Sequence, residues 1–382
     1  MSIVMVFPHP PGASLGSERR VKELALELSS ALPVRARIYS PFTYGMFRIA
    51  YKLGKAVYYS KTLCKMLLDR FLKKPSRVVL HRLVAFLERC EALAIQAELD
   101  VSLSLSILAS RELDLPIVAD LHNIISEELV AAGVITRGDR TYRRLQALMA
   151  DWLSQVDLIC VVSNEMARYV REHYDIERSK LVIVMPGGRP RTSKASLAAR
   201  QGDKVVYAGS LSYREHVDLF VRSAPIIKAI RPLVILYSTG KGENARKLMT
   251  LSRKLRAGIK FFWASSEKQL FRFLSSCSVA VLPSSNDMAR KMGIPIKMLD
   301  YLSVGLPVVA NDIGGWTHMI DKLGIGLLTE DDPRDFALGI TSLLNDDEVR
   351  LRMSKKALEL VGGELNWKRT AKPLINAYKK II

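Results

Sequence analysis

The sequence predicts an α/β fold of two Rossmann-like domains with a cleft between them, and three observations carry that expectation. The chain has 382 residues, more than one hydrophobic core usually serves. Short β-branched runs alternate with helical patterns along its length. The alternation restarts after Pro186-Gly-Gly-Arg-Pro190, a Gly/Pro-rich stretch continued by polar Arg191–Gln201 that reads as a linker.

Taken in order, the first half offers strands at Ile3–Phe7, Val101–Leu105, Ile117–Asp120, Leu158–Ser163 and Leu181–Val184, with helices between them. The second half repeats the rhythm at Lys204–Ala208, Leu233–Tyr237, Lys260–Trp263, Val279–Leu282 and Pro307–Ala310. Such βα repetition predicts parallel sheets covered on both faces. Ligands of open α/β sheets sit beyond the carboxyl ends of the strands, so two facing sheets place the chemistry in the cleft.

With 49% hydrophobic and 25% charged residues, the composition is that of a globular protein. Apolar stretches such as Val101–Leu108 and Val279–Pro283 fall far short of the roughly 18 residues that cross a bilayer. Met1–Pro8 has neither a basic region nor a long apolar core; it reads as a first strand and not a signal peptide, and a cytoplasmic location is expected. Cys64, Cys90, Cys160 and Cys277 are widely spaced, with no Cys-x-x-Cys pair and no histidines at metal spacing, which predicts free thiols and no metal. Basic residues number 57 against 38 acidic, a net charge of +19 that points to a polyanionic partner. Nucleic acid, anionic lipid headgroups and diphosphate substrates all qualify.

One segment breaks the rhythm. Residues 44–93 show only helical periodicity and carry eleven basic against three acidic residues, among them Arg48, Lys52, Lys55, Lys61, Lys65, Lys73 and Lys74. Phe47, Tyr51, Tyr58, Tyr59, Leu63, Leu67 and Phe71 lie between the cations. Two readings fit: a helix lying on an anionic membrane surface, or a helical excursion whose apolar stripe packs on its own domain while its lysines are solvated. No RNP-type, helix-turn-helix or zinc motif accompanies the charge, and phosphate contacts do not need so many aliphatics, so a nucleic-acid partner is not expected.

Three constellations suit chemistry. Between the first strand and the next helix lies a loop bearing Gly12 and Gly16, where glycine lets backbone N–H groups approach a phosphate; a plain structural turn would look the same. Asp120-Leu-His122-Asn123 sets a histidine at the carboxyl end of a strand, facing the cleft, as a packed residue or a reactive one. The third runs from Pro283 through Ser284, Asn286, Asp287, Lys291, Gly293, Lys297 and Asp300 to Gly305, Pro307 and Ala310: strand, polar loop, amphipathic helix, Gly-x-Pro turn, strand. Lys297 and Asp300, three residues apart, share a helix face, where a cation can meet phosphate and a carboxylate can accept ribose hydroxyls. Gly209 and the Gly240-Lys-Gly242 turn close two further strand ends, and Asn311-Asp-Ile-Gly314-Gly315 offers backbone donors for an anion nest.

Gly293–Ala310 resembles the donor-binding signature of the retaining GT-B glycosyltransferases of family 4, the glycosyltransferase group 1 type. Other motifs resemble the family's in the same order: the Gly12/Gly16 loop, Asp120–Asn123, Val161–Ser163, Val182–Gly188, Val205–Gly209, Trp263–Glu267, and a tail from Asn366 to Ile382 similar to the final helix that returns to the N-terminal domain. The resemblance implies an N-terminal acceptor-binding domain at 1–188, a C-terminal nucleotide-sugar-binding domain at 189–365 and a returning helix at 366–382. It implies a metal-independent, hexosyltransferase-type enzyme without cofactor, using a UDP- or GDP-linked sugar as co-substrate. Asp300 would hold the ribose, Lys297 the diphosphate or sugar, and His122 the transferred sugar at the reaction centre.

Departures from the family pattern are specific. Gly209-Ser210-Leu211 and Glu215 stand where the family carries an arginine and a lysine of its diphosphate clamp, so Arg214, Lys291 and Lys297 are the expected substitutes. Met292 stands in place of the first signature glutamate, leaving Asn286, Asp287 or the backbone near Gly293 for its work. The expected function is sugar transfer to a lipid-linked or phospholipid acceptor by a protein peripheral on the cytosolic face of an anionic membrane. A soluble transferase acting on a polysaccharide or small sugar and a non-catalytic nucleotide-sugar-binding subunit are the alternatives.

Overall fold

The computed structural model describes residues 1–8, 16–41, 76–192, 203–212, 215–240, 242 and 244–382. The chain divides into two compact units, Met1–Met185 with Thr370–Ile382, and Pro186–Arg369.

The first unit is built on a six-stranded parallel sheet of β1 (Ser2–Val6), β2 (Arg35–Tyr39), β3 (Ala92–Glu98), β4 (Ile117–Leu121), β5 (Leu158–Val161) and β6 (Leu181–Ile183), in the order 2-1-3-4-5-6. All five residues of β1 are buried, as a central strand covered on both faces requires. The order reverses between β1 and β3, and the carboxyl ends flanking such a reversal are where α/β sheets take ligands. Helix Lys372–Ile381 packs beside β6 and buries Leu374, Ile375 and Tyr378.

Two sequence expectations are corrected here. Val101–Leu105 is not a strand but part of helix Asp100–Leu113, in which Leu103, Leu105, Ile107 and Ala109 are buried. Its Leu-Ser alternation imitates a period of two, but the hydroxyl of Ser102 bonds back to the carbonyls of Glu98 and Leu99 at 2.8 and 3.1 Å, which suits the first turn of a helix. The strand instead begins at Ala92, inside the segment read as free of strands. Of the basic segment 44–93, the eight cations from Arg48 to Lys74 lie outside the described residues. Its last part, helix Arg77–Arg89, buries Leu83, Val84 and Leu87 in a cluster with Val4, Val6 and Ile95 of its own sheet. For that helix, the packed excursion is the observed one.

The second unit repeats the plan with β7 (Lys204–Ala208), β8 (Ile235–Thr239), β9 (Lys260–Phe262), β10 (Val279–Val281), β11 (Val308–Asn311) and β12 (Gly326–Thr329), in the order 12-11-10-7-8-9, all pairs parallel. Renumbered within the unit this is 3-2-1-4-5-6, the Rossmann arrangement, with its reversal between β7 and β10. Phe220 and Ile227 from helix Val217–Ile230 and Phe336 and Ile340 from helix Pro333–Asn345 join Val205, Val281 and Val309 in one core cluster. Each such side chain contributes about 1.5–3 kcal/mol by leaving water. Helix Pro333–Asn345 starts as its sequence dictates: Pro333 opens the first turn and the Asp332 carboxylate accepts from the N–H groups of Arg334 and Asp335.

Cys90, Cys160 and Cys277 are free and buried; Cys64 lies outside the described residues. No helix among the described residues is long and apolar enough to cross a membrane.

Candidate functional site

In the second unit, polar groups gather where β7 and β10 end. Helix Ile296–Ser303 follows Pro295 and stops at Gly305, whose φ of +68° lets the Leu306 N–H bond back to the Tyr301 carbonyl at 2.9 Å. Met298, Leu299, Tyr301 and Leu302 bury one side of it, while Lys297 and Asp300 stay partly buried. Tyr301 fixes its rotation. The phenol donates to the Ala208 carbonyl at 3.0 Å and accepts from the Ala208 N–H at 2.8 Å, tying the helix to the end of β7. One turn earlier, Lys297 is thereby laid against Gly209, where an added Cβ would stand 3.0 Å from Lys297 Cε and 3.1 Å from Nζ. Glycine there leaves room for the ammonium.

Lys297 Nζ donates to the Tyr207 hydroxyl at 3.2 Å and to the Glu215 carboxylate, with which it forms an ion pair. Burial pulls the lysine below its usual pKa, and Glu215 works against that pull. A second cation joins them: Arg290 Nη2 is 3.7 Å from Glu215 Oε1, while its buried Nε has no hydrogen-bond partner. The neighbouring loops are locked from below. A Cβ on Gly240 would lie 1.6 Å from the Gly209 carbonyl oxygen, and one on Gly242 would lie 2.2 Å from that of Leu211. The Asn311 side chain accepts from the Ser284 N–H at 2.8 Å and donates to its carbonyl at 2.9 Å, pinning the loop after β10.

In the first unit the corresponding place holds a buried polar network. Glu98 ends β3 and pairs in register with Asp120 of β4, and Gln96 stands two residues before Glu98 on the same face. Arg20, on helix Gly16–Ala31, donates to both Asp120 oxygens at 2.9 and 3.2 Å and to the Val184 carbonyl at 2.8 Å. Gln96 Nε2 donates to Glu98 at 2.7 Å, and Gln96 Oε1 accepts from Tyr378 at 2.9 Å. His122 Nε2 lies 3.1 Å from Glu98 and 3.4 Å from Asp120, close ion contacts without hydrogen-bond alignment. Burial and the Asp120 charge push Glu98 up to about 7. Burial would also raise Asp120, but the charges of Arg20 and His122 outweigh it and hold Asp120 at about 2. Burial would lower His122, yet the Asp120 charge and the closeness of both carboxylates to Nε2 raise it. Beside Glu98, Leu99 adopts φ +66° and ψ 155°, a region almost reserved for glycine.

These geometries revise several expectations. Gly209, Gly240 and Lys297 are brought together, with Asp300 on the same helix close enough for its charge to act on Lys297. Arg290, which was not among the expected donor residues, joins Lys297 at Glu215, and the Lys291 carbonyl is closely approached by Gly315. Gly293 is extended, and a Cβ would have room there, so nothing in its own packing calls for glycine. Asp287 is consumed as the N-cap of helix Met288–Met292, and Met292 is core. In the anion nest expected at Asn311–Gly315, the Gly314 N–H is already taken by Asp312 at 2.8 Å. His122 faces inward: it is 10% exposed and both ring nitrogens are buried. Gly16 starts its helix, while Gly12 and Arg214 lie outside the described residues. Sequence reasoning missed Arg20, Glu98 and Arg290. Gln96 and Glu98 could have been noticed as polar residues alternating within an otherwise apolar run.

A pair of α/β units, the second with Rossmann strand order and paired cations beside its reversal, defines a nucleotide-binding class of fold. Residues 189–360 match the family Glycosyl transferases group 1, and residues 15–188 match Glycosyltransferase Family 4. The chain therefore belongs to the family 4 GT-B glycosyltransferases. It is similar to the D-inositol 3-phosphate glycosyltransferase of Corynebacterium urealyticum, 25% identical over 251 residues that cover 60% of this chain and 58% of the relative. The chain thus spans less than two thirds of that relative's length. Among solved structures, HepE of Anabaena, crystallised with UDP, has a TM-score of 0.72 at 15% identity with both chains fully covered. Sucrose-phosphate synthase from Thermosynechococcus elongatus has a TM-score of 0.74 at 16% identity, covering 99% of this chain and 98% of that one.

Proposed function

We propose that the protein transfers a hexose, with retention, from a UDP- or GDP-linked donor bound by its second unit to a lipid-linked or phospholipid acceptor at the cytosolic membrane surface. The carrying observation is the pair of cations around Glu215: Lys297, set against Gly209, and Arg290, whose Nε is left without a partner. Sugar transfer expels a diphosphate while positive charge develops at the anomeric carbon, so preorganised cations at the leaving group lower the barrier. Asp300, on the same face as Lys297, is suited to accept ribose hydroxyls. In this reading His122, raised by the Asp120 charge against the pull of burial, lies at the strand ends of the unit that takes the acceptor. The structure of HepE with UDP supports the donor class.

The lipid acceptor rests on the excess of basic residues in 44–93 beside its aromatic residues. A small phosphorylated acceptor is the second reading, favoured by the names of the inositol-phosphate and sucrose-phosphate enzymes to which the chain is similar. The test is mass spectrometry after incubation with UDP- and GDP-hexoses and either a membrane lipid extract or soluble sugar phosphates. A hexose mass added to a lipid is the expected product. Transfer to sugar phosphates alone selects the second reading, and no transfer to either rejects both.

A further inference from the structure

Glu215 stands among cations. Its carboxylate pairs with Lys297 and lies 3.7 Å from Arg290, and its side chain is 13% exposed beside a lysine that is 15% exposed. The three charges come from different places. Lys297 and Arg290 belong to helices that follow β10, whereas Glu215 sits in the short loop between β7 and helix Val217–Ile230. The contacts are also uneven. Lys297 is held directly, Arg290 only loosely, and the buried Arg290 Nε bonds to nothing. Two cations sharing one carboxylate, with a donor to spare, form an anion site that the protein's own side chain fills incompletely.

We infer that Glu215 is an internal occupant of the diphosphate site, neutralising Lys297 while the site is empty and leaving when a nucleotide diphosphate enters. The inference rests on the donor reading above. A diphosphate brings more charge and more acceptor oxygens than one carboxylate, so it can satisfy Lys297 and Arg290 together. It cannot share them with Glu215 at close range, because like charges a few ångströms apart repel. Glu215 therefore sets donor affinity by competition. Lys297 remains paired in the empty protein, and its position against Gly209 and Tyr207 is kept for the ligand.

The experiment is calorimetric titration of the full chain with UDP, GDP and inorganic pyrophosphate, together with thermal melts. Wild-type protein is expected to bind a nucleoside diphosphate, and Lys297→Ala to lose that binding. Glu215→Gln is expected to bind at least about tenfold more tightly than wild type. It should also melt lower when empty, since Lys297 is left unpaired, yet gain more melting temperature from the ligand than wild type does. Glu215→Asp, which keeps the charge but withdraws it by one methylene, should fall between the two and serves if Glu215→Gln folds poorly. Equal or weaker binding by Glu215→Gln, with wild type binding normally, overturns the inference and makes Glu215 a ligand of the donor or a plain structural tie. Absence of binding by wild type and every variant overturns the donor reading and the inference with it.

Discussion

Both units gather charge at the same kind of place, the carboxyl ends of a parallel sheet beside the reversal of its strand order, but they treat that charge differently. In the first unit Arg20, Asp120, Gln96, Glu98 and Tyr378 bond to one another, and Asp120 and Glu98 are fully buried. That cluster is buried but not fully satisfied, since Glu98 Oε2 and both His122 ring nitrogens have no hydrogen-bond partner. In the second, Lys297, Arg290 and Glu215 are each partly exposed and one guanidinium nitrogen lacks a partner. The difference teaches what to ask of a charged strand end. A fully buried network organised around its own ion pair holds the fold, whereas a partly exposed one left short of an anion is prepared to receive it.

The sharpest way to break the comparison is to remove Arg20 from the buried cluster. Arg20→Met should destabilise the first unit by about 3–5 kcal/mol, since the buried Asp120 would lose its ion pair with Arg20 and keep only His122 and Gln96 beside it. Urea unfolding of the full chain reads the loss, and a change within error would show that the network tolerates an uncompensated carboxylate. Next in size, Asp300→Ala should weaken UDP or GDP binding by about one to two powers of ten, the worth of a charged hydrogen bond, with little change in unfolding midpoint because the side chain is not core. Unchanged affinity would remove Asp300 from the site.

The smallest effect is a slope. Glu98, raised to about 7, and His122, also raised, hold protons in the folded chain that the unfolded chain releases. Stability from Glu98 is therefore complete below the ordinary carboxylate pKa and declines as pH rises to about 7, and that from His122 declines as pH rises past the ordinary imidazole pKa. Asp120, lowered to about 2, acts in the opposite sense, losing its contribution only as pH falls below the ordinary carboxylate range. Glu98→Gln should flatten the decline between about pH 5 and 8 while leaving the acid limb in place. A slope equal to that of wild type would mean that Glu98 is ionised throughout.

The architecture was largely legible because most strands are short β-branched runs, and a run such as Lys204–Ala208 looks the same in isolation as in its sheet. β3 was hidden for the opposite reason. Gln96 and Glu98 are polar, and only the arrival of Asp120, Arg20 and Tyr378 from distant parts of the chain makes them suitable for burial. The Leu-Ser alternation just after them supplied a false strand. On the site, Lys297, Asp300 and Gly209 were readable from local punctuation by glycine and proline. Arg290 and Arg20 were not, because helix position and strand order decide which cation meets which carboxylate, and Arg20 and Asp120 are 100 residues apart. Glu215 was visible as a departure from the family pattern, but its partner is 82 residues away.

The contact between Gly209 and Gly240 bears on how the second unit can respond to a guest. With no space for even a methyl group between the two turns, the floor beneath Lys297 has no slack and cannot spread to admit a larger molecule. Accommodation must come from above, by the swing of a few long side chains, so selectivity at this position resides in what those side chains surrender and not in any deformation of the sheet.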